Sequence, residues 1–219
     1  MNDNYNDLVL NPHYTKAKNL YTVFKRLFDI VISLLSIIIL FPIAIILMIL
    51  IKIDSKGPIF YLHKRLGLNG KVIRIYKFRT MVYNSDEIFN NFTKEQKLEY
   101  EKKFKLDDDP RLTRLGKFLR GTSIDELPQL LNIFKGEMSL VGPRPIVEKE
   151  VEKYGMYAQK FFSVKPGLTG FWQANGRSST TYDERVQMDM FYVDHRCLRL
   201  DIKIIFKTFY AVFRQNGAI

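Results

Sequence analysis

The sequence is poor in the residues that build disulfides and metal cages. Cys197 is its single cysteine, so no disulfide can form within the chain and no zinc site can be built from cysteine ligands. The three histidines, His13, His63 and His195, are scattered and lack the spacing of metal ligands. These shortages exclude a disulfide scaffold and a structural zinc domain, and a lone thiol fits a domain that faces the cytosol.

Acidic residues are too few to balance the basic ones. The 219 residues include 34 Lys and Arg against 23 Asp and Glu, which gives a formal net charge of +11. This excess indicates an anionic partner, and the charge alone leaves nucleic acid, acidic lipid and a phosphorylated substrate open. The sequence also lacks internal repeats and long flexible linkers, so we expect one domain resting on a membrane element.

One stretch lacks charge altogether. Residues 30–51 contain no charged side chain. As a straight helix this run would be about 33 Å long, enough to span a hydrocarbon core of about 30 Å. A secretory signal is not expected, because the run is too long and no small-residue cleavage motif follows it. The run therefore predicts that the protein lies at a membrane.

Pro42 lies near the centre of this run, and basic residues flank both ends. A proline inside a helix removes a hydrogen bond and clashes with the preceding turn, so we expect a kink or a break. Cations on both sides remove the asymmetry that normally orients a membrane helix. Two interpretations stay open: a kinked helix that crosses once, and a re-entrant helix that enters the cytoplasmic leaflet and turns back at Pro42. The flanking cations are Lys16, Lys18, Lys25 and Arg26 before the run, and Lys52, Lys56, Lys64 and Arg65 after it.

The rest of the sequence predicts an α+β fold that is mainly helical. Apolar residues 59–62 and alternating residues 72–78 surround a glycine-containing turn, as in a β-hairpin. The final predicted helix has a basic polar face, so it either packs into the core or lies in the membrane interface. Helices are expected over residues 85–104, 114–120, 124–134, 182–192 and 200–213.

Residues 123–129 carry two adjacent acidic residues at a predicted helix start. In one interpretation Ser123 and Glu126 form a capping box and Asp125 complements the helix dipole, which requires no function. In the other, the Asp125 carboxylate attacks phosphorus and forms an acyl phosphate, which divides one transfer into two easier steps. The interpretations are compatible, because phosphate also binds well at a helix N-terminus.

Several cations occur in contexts that suit phosphate binding. Arg120 precedes Asp125 by five residues, and Arg144 lies between two prolines that restrict its backbone. Lys77 and Arg79 alternate with apolar residues, as on one face of a strand. Guanidinium groups bind phosphate oxygens with paired hydrogen bonds and stabilise the transition state of phosphoryl transfer. Taken singly, each cation is more often a solvated surface charge.

Several motifs in this order resemble the bacterial sugar transferase family, the monotopic phosphoglycosyl transferases. The resemblance covers residues 22–219, nearly the whole chain. One departure lies at the proposed helix break, where the family usually has Ser-Pro and this chain has Phe41-Pro42; Ser33 and Ser36 are the nearest upstream hydroxyls. The motifs are Lys-Arg-Leu-Phe-Asp at 25–29, the proline-split run, Tyr-Lys-Phe-Arg-Thr-Met at 76–81, and residues 123–129, 140–145 and 166–177.

The resemblance implies a membrane enzyme that transfers a sugar 1-phosphate from a UDP-sugar to polyprenyl (undecaprenyl) phosphate and releases UMP. It implies that Asp125 forms a covalent phosphosugar intermediate, that Glu126 assists, and that Mg²⁺ is held with Asp125 as its protein ligand. Such a reaction is the first membrane step of capsule, exopolysaccharide or other glycoconjugate synthesis, and galactose or glucose is favoured over N-acetylated sugars. The implied phosphate-binding or nucleotide-binding cations are Lys77, Arg120, Arg144 and Arg177.

The resemblance also implies a domain arrangement and a location. A leader at residues 1–21 is expected before a re-entrant membrane helix-break-helix at residues 22–56. A cytosolic catalytic domain at residues 57–219 then rests on the membrane interface through amphipathic helices. The expected location is the cytoplasmic face of the bacterial inner membrane, with membrane lipids as partners and no role for nucleic acid. A homodimer stays open, because family members can pair.

Two other functions remain open from the sequence. The three aspartates at 107–109 could mimic the metal-binding Asp-x-Asp of nucleotide-sugar glycosyltransferases, but we interpret them as an acidic turn before Pro110. A membrane-attached glycosyltransferase of that kind would release UDP in place of UMP. A nonenzymatic basic module that binds acidic lipid or nucleic acid would explain the charge, but it leaves Asp125 and Glu126 without a role.

Overall fold

The computed structural model describes residues 19–103, 106, 108–176 and 180–213, and helices make up most of this part of the chain. The α-helices are α1 (Asn19–Asp54), α2 (Ser85–Asn90), α3 (Lys94–Lys103), α4 (Arg114–Gly121), α5 (Gln129–Lys135), α6 (Ala158–Phe161), α7 (Phe171–Asn175), α8 (Tyr182–His195) and α9 (Leu198–Phe213). The strands are β1 (Phe60–Leu66), β2 (Val72–Phe78), β3 (Ser139–Val141) and β4 (Gly167–Thr169). Short 3₁₀ segments occur at Leu68–Gly70, Ile124–Glu126 and Glu148–Tyr157. The predicted mainly helical α+β class is confirmed, whereas the predicted leader lies almost entirely outside the described residues.

Helix α1 takes up the whole apolar run. Its 36 residues correspond to about 54 Å, and it continues through Pro42 without interruption. In the described part of the chain it is the one helix long and apolar enough to cross a membrane. The Ser33 hydroxyl donates to the carbonyl of Ile30, 3.2 Å away, so it does not bond to the backbone carbonyl that Pro42 leaves free. The re-entrant path stays a prediction.

Both halves of α1 pack against the rest of the molecule, although many of its apolar side chains point away from it. Side chains before Pro42 contact a core built from α5, β3, α8 and α9. Those after Pro42 contact a second core, between β2 and α4. The packed residues are Phe28, Ile32, Ile37 and Leu40 in the first half, and Ala44, Leu47, Met48 and Ile51 in the second.

The motif at residues 25–29 binds the N-terminal half of α1 to the rest of the chain. Arg26 donates to the carbonyl oxygens of Ile133 and Phe134, each at 2.7 Å, at the C-terminal end of α5. Asp29 is buried and accepts a hydrogen bond of 3.0 Å from the backbone N–H of Leu140. These side chains therefore connect α1 to α5 and β3.

Asp201 in α9 is a second attachment point for the same half of α1. Its buried carboxylate pairs with Lys25 at 2.8 Å and accepts a hydrogen bond of 2.9 Å from the Tyr21 hydroxyl. The Tyr192 hydroxyl of α8 donates to the other carboxylate oxygen at 2.8 Å. One carboxylate thus joins α1, α8 and α9.

Arg79 closes the opposite end of α1. Its guanidinium donates to the carbonyl oxygens of Ile51, Ser55 and Lys56 at 3.2, 2.6 and 2.8 Å. A buried cation at these carbonyls satisfies a helix C-terminus and its dipole. Gly57 has φ +123°, and a Cβ there would lie 2.2 Å from the Arg79 guanidinium, so only glycine fits. The Arg79 side chain therefore binds the C-terminal end of α1, although Arg79 belongs to the same alternating stretch of sequence as Lys77.

Strands β1 and β2 form the predicted antiparallel hairpin, with Tyr61 opposite Lys77. Asn132 of α5 binds the free edge of β2. Its side-chain oxygen accepts from the backbone N–H of Tyr76 at 3.0 Å, and its side-chain nitrogen donates to the Arg74 carbonyl at 2.8 Å. Because Asn132 is fully buried, these bonds fix the hairpin relative to α5.

Strands β3 and β4 form a parallel pair that was not predicted. Gly142 and Gly167 make it possible, because a Cβ on Gly167 would lie 2.1 Å from the Gly142 nitrogen. Gly142 and Pro143 therefore run directly beside β4, through backbone hydrogen bonds of 2.9 Å to Thr169 and Gly167. The motifs at 140–145 and 166–177, which are distant in sequence, become neighbours.

Several predicted helices have different ends in the structure. The helix expected over 124–134 is divided into a 3₁₀ turn and α5, because Pro128 cannot donate a backbone hydrogen bond. The helix expected over 85–104 is divided into α2 and α3. Thr93 and Gln96 form reciprocal side-chain to backbone bonds of 3.2 and 3.0 Å, the T-x-x-Q capping signal of a new helix.

Helix α9 is amphipathic, as predicted, with one side in the core and the other exposed. Ile204 is buried in the core formed with α5 and β3. Ile202, Phe206 and Phe209 are exposed, with Phe206 at 71 %. The exposed side remains available for a membrane interface, which stays a prediction.

Candidate active site

Asp125 and Glu126 occupy the 3₁₀ turn between α4 and α5. Asp125 is buried, with 5 % of its surface exposed, and Glu126 is half-buried. Ser123 adopts the left-handed conformation with φ 59°, and its side chain forms no capping hydrogen bond. The predicted capping box between Ser123 and Glu126 is therefore wrong. The chain turns at the left-handed Ser123, and both carboxylates that follow lie next to β2.

Lys77 meets both carboxylates from β2. Its Nζ lies 2.7 Å from Glu126 Oε1 and 3.5 Å from Asp125 Oδ2. Asn132 accepts a hydrogen bond from the backbone N–H of Tyr76, the residue before Lys77, and so fixes the position of the Lys77 backbone. One ammonium group thus bridges the two acidic side chains.

Arg120 and Arg144 approach the carboxylates from other directions. Arg120 Nε donates to the Thr80 hydroxyl at 3.0 Å, and its charge interacts with Asp125. Helix α4 comes this close because Gly116 faces the Thr80 carbonyl, where a Cβ would lie only 1.9 Å away. Arg144 Nη2 lies 3.9 Å from Glu126 Oε1, and its side chain is 41 % exposed. The structure therefore brings together three of the four predicted cations; Arg177 lies outside the described residues.

The two carboxyl groups differ in proton affinity. Burial raises the pKa of Asp125 above its ordinary value; Lys77 and Arg120 oppose this rise, and the charge of Glu126 adds to it. Burial would also raise the pKa of Glu126, but Lys77, Arg144 and Arg65 outweigh it and lower that pKa to about 2. Glu126 is thus a permanent anion near neutral pH, and Asp125 is the more basic carboxylate.

His63 and Arg65 of β1 also lie at this cluster of charged side chains, and they were not predicted from the sequence as site residues. Tyr61 is opposite Lys77, and alternation places His63 and Arg65 on the same face as Tyr61. Burial, with the charges of Arg65, Lys77 and other cations, lowers the pKa of His63 to about 3. The signal that could have found both residues is the hairpin register, which a single sequence does not fix.

The aspartates at 107–109 are used elsewhere. Asp109 is buried and pairs with Arg111 through two hydrogen bonds of 2.8 and 2.6 Å. The Arg111 guanidinium also stacks on the rings of Phe89, Phe92 and Tyr100 at 5.1 to 5.3 Å. The exposed Asp108 pairs with Lys117 at 2.8 Å, and residue 107 lies outside the described part of the chain. Asp109 therefore gives no support to an Asp-x-Asp metal site.

Comparison with known proteins identifies the family of this chain. Residues 20–215 match the family model described as bacterial sugar transferase. An undecaprenyl-phosphate galactose phosphotransferase of Salmonella typhimurium is 47% identical over 214 residues, which are 96% of this chain and 45% of that protein. The exopolysaccharide production protein ExoY of Sinorhizobium fredii is 46% identical over 197 residues, 89% of this chain and 87% of that protein. A UDP-glucose:undecaprenyl-phosphate glucose-1-phosphate transferase of Klebsiella pneumoniae is 38% identical over 205 residues, 90% of this chain and 41% of that protein.

The chain spans less than half the length of two of these relatives and most of the third. The family match begins near the start of α1 and extends past the end of α9, so it includes every described element that supplies the carboxylates and cations of the site. The resemblance seen in the sequence motifs is confirmed, and the chain belongs to the bacterial sugar transferase family.

Proposed function

We propose that the protein transfers a sugar 1-phosphate from a UDP-sugar to polyprenyl phosphate and releases UMP. The observation that carries this proposal is a buried carboxylate, Asp125, with Lys77 and Arg120 beside it and Arg144 at the neighbouring Glu126. A carboxylate can attack phosphorus only where cations reduce its repulsion from the phosphate anion. The names of two relatives, a galactose phosphotransferase and a glucose-1-phosphate transferase that use undecaprenyl phosphate, support the same substrate class.

In the first step an Asp125 carboxylate oxygen attacks the sugar-proximal phosphorus of the UDP-sugar. The bond from this phosphorus to the bridging oxygen breaks, and UMP leaves with the bonding electrons. Lys77 and Arg120 lie beside Asp125, where they lower the repulsion between the carboxylate and the diphosphate. The products are an aspartyl phosphosugar and UMP.

In the second step a phosphate oxygen of polyprenyl phosphate attacks the same phosphorus. The bond between phosphorus and Asp125 breaks, the carboxylate is restored, and a polyprenyl diphosphosugar is released. Glu126, whose pKa is about 2, cannot supply a proton near neutral pH. Its role in this proposal is to hold Lys77 and Arg144 in place.

We propose magnesium as the cofactor, with Asp125 as its protein ligand. No group of three or more His, Cys, Asp or Glu side chains suited to a metal occurs among the residues that the structure describes. Such a sparse donor set fits Mg²⁺, which commonly takes one or two carboxylates and completes its shell with water and substrate phosphates. When bound, the ion would neutralise charge on the diphosphate.

The proposal places α1 in the cytoplasmic leaflet of the inner membrane as a re-entrant helix. Support comes from its attachments: Arg26 and Asp29 bind α5 and β3 before the apolar run, and Arg79 binds Ser55 and Lys56 after it. A helix that crossed the bilayer once would place these two ends on opposite sides. Membrane lipids are then the partners of the exposed apolar side of α1 and of the exposed face of α9.

The nucleotide that is released tests the reaction. Purified protein is incubated with polyprenyl phosphate and either UDP-galactose or UDP-glucose, and nucleotides and lipid products are separated. We expect UMP in the same amount as polyprenyl diphosphosugar. Release of UDP would contradict phosphosugar transfer and would favour a glycosyltransferase.

A further inference from the structure

The side chains on the face of β1 next to the candidate active site have no role in the two proposed reaction steps. Tyr61, His63 and Arg65 share this face, and Tyr61 lies opposite Lys77. The rings of Tyr61 and His63 lie 5.6 Å apart. Lys64, between them in sequence, is on the other face and is exposed.

Arg65 is held in place from the side away from the carboxylate pair. Its Nη1 lies 3.3 Å from Glu150 Oε2, and its side chain is 18 % exposed. Glu150 is itself positioned by the Val147 backbone N–H at 2.9 Å and by the Tyr182 hydroxyl at 3.4 Å. A guanidinium has five N–H donors, and within the described ranges this ion pair is the one hydrogen bond that the Arg65 guanidinium makes. Arg65 is thus a rigid, largely buried cation with donors to spare.

Arg65 and His63 belong to the charge cluster around Glu126. Arg65 interacts electrostatically with Arg144 and Glu126, and its pKa is lowered by burial and by Arg144. The charges of Arg65, Lys77, Arg144 and Arg120 all lower the pKa of His63, so its imidazole lies within electrostatic range of these cations. Cations kept this close repel one another, and a bound phosphate relieves the repulsion.

We propose that Arg65 and His63, together with Arg144, form a phosphate-monoester subsite on the Glu126 side of the active site. Arg65 supplies charged N–H donors, and His63 supplies a neutral imidazole that hydrogen-bonds without adding to the repulsion. Glu150 is a positioning residue that fixes Arg65.

The geometry of displacement at phosphorus identifies the monoester, and this step rests on the proposed function. When Asp125 attacks in line, the departing UMP oxygen lies opposite the Asp125 oxygen. To expel Asp125 in the second step, the acceptor must attack from that same side. The phosphate of UMP and the phosphate of the polyprenyl lipid therefore occupy this subsite in turn.

Two variants of the full chain test the subsite. Arg65→Gln and Lys64→Gln each remove one positive charge from β1, on opposite faces. Binding of UMP and of uridine is measured by calorimetry, and the KM for polyprenyl phosphate is measured with a UDP-sugar. In Arg65→Gln we expect UMP affinity to fall about 10- to 100-fold, as for a lost charge-assisted contact, and the KM for polyprenyl phosphate to rise by a similar factor. Uridine affinity in Arg65→Gln should stay at the wild-type level. In Lys64→Gln the UMP affinity and the KM for polyprenyl phosphate should both stay at the wild-type level.

A second pair of variants separates binding from folding. Arg65→Gln leaves Glu150 without its partner, whereas Arg65→Gln/Glu150→Gln removes both charges and restores neutrality. We expect the double variant to unfold at nearly the wild-type temperature and still to bind UMP as weakly as Arg65→Gln. Recovery of wild-type UMP affinity in the double variant would overturn the subsite, since Arg65 would then act only by neutralising Glu150.

The remaining outcomes are distinct from failure of the proposed function. Wild-type affinity for UMP in Arg65→Gln would refute the subsite, whatever reaction the protein catalyses. Weaker UMP binding with an unchanged KM for polyprenyl phosphate would refute its shared use. A wild-type protein that forms no phosphosugar adduct with donor alone would refute the proposed function, while the UMP comparison would still decide the subsite.

Discussion

At the scale of single residues, the two neighbouring carboxylates have different surroundings and therefore different roles. Asp125 is buried, and its pKa lies above the ordinary value because burial and the charge of Glu126 outweigh Lys77 and Arg120. Glu126 contacts Lys77 at 2.7 Å and stays ionised, with a pKa of about 2. In the proposed reaction the more basic carboxylate, Asp125, is the nucleophile, and the ionised Glu126 holds Lys77 and Arg144 in place.

The coupling between these two groups can be measured. Glu126→Gln removes a negative charge next to Asp125, so the pKa of Asp125 should fall. The midpoint of the Asp125 carboxyl resonance is followed by carbon NMR as pH changes, in the wild type and in the variant. Lys77→Met is the matched opposite change, because it removes a cation and should raise the same midpoint. A midpoint that rises in Glu126→Gln would contradict the assignment.

At the scale of secondary-structure elements, single polar side chains fix how elements meet. Asn132 joins α5 to the edge of β2, Arg79 closes α1, and Asp201 joins α1 to α8 and α9. Each of these side chains is buried, so each bond forms where water cannot replace it. The position of Lys77 against the carboxylates depends on the first of these contacts.

Replacing Asn132 tests that dependence. Asn132→Leu keeps a similar volume but leaves the Tyr76 N–H and the Arg74 carbonyl without their partner, and we expect a loss of about 2 to 4 kcal/mol in the free energy of unfolding. Denaturant unfolding measures it. The exposed Asn91→Leu is the control and should change stability little. Equal losses of unfolding free energy in the two variants would show that the hydrogen bonds of Asn132 to β2 contribute nothing specific to stability.

Asp189 predicts a pH effect between α8 and the 3₁₀ segment at Glu148–Tyr157. It is fully buried, accepts a hydrogen bond of 2.8 Å from the Tyr154 hydroxyl, and has a pKa raised by burial to about 7 from 3.8. The folded state therefore binds this proton more tightly than the unfolded state, so the buried charge costs stability above pH 7. That cost disappears as pH falls from about 7 towards 3.8.

Asp189→Asn removes the charge and keeps an acceptor for Tyr154. We expect the variant to be more stable than the wild type by about 2 to 4 kcal/mol at pH 8, and the difference to vanish near pH 4. Thermal unfolding of both proteins across this range measures it. A difference that is constant with pH, or that grows as pH falls, would refute a buried charge at Asp189.

At the scale of the whole molecule, α1 is attached to the same domain at both ends, and the proposed function requires a lipid and a nucleotide to meet at that domain. Both halves of α1 pack against the domain that holds Asp125, and its remaining apolar surface points away from that domain. A re-entrant path would place the cation cluster at the membrane surface, where a lipid phosphate and a soluble UDP-sugar are both accessible.

Labelling of cysteines from either side of the membrane tests this path. Leu20→Cys and Lys56→Cys are made separately in a Cys197→Ser background. The wild-type protein, which is labelled at its exposed native Cys197, reports the side of the membrane on which the catalytic domain lies. An impermeant maleimide is applied to intact spheroplasts and to inverted vesicles. We expect all three positions to react only from the cytoplasmic side. Reaction of position 20 only from outside would establish a single crossing.

The sequence predicted the features that are local and missed those that depend on distant contacts. Alternation predicted β2, and the acidic pair at 125–126 indicated the candidate site, which stays a prediction. The left-handed backbone of Ser123, the register that places Arg65 on the same face as Lys77, and the three-residue pair of β3 and β4 all depend on tertiary packing, so no local pattern signals them. The same holds for Arg79, whose partners lie 23 to 28 residues away.

The most direct measurement is the intact mass of the protein after incubation with UDP-galactose or UDP-glucose, without acceptor. The account predicts a mass increase of one sugar phosphate, located on the peptide that contains Asp125 and removed when polyprenyl phosphate is added. Asp125→Asn should show no adduct and no turnover, whereas the exposed Asp108→Asn should behave as the wild type. Adduct formation or wild-type turnover in Asp125→Asn would contradict the central claim.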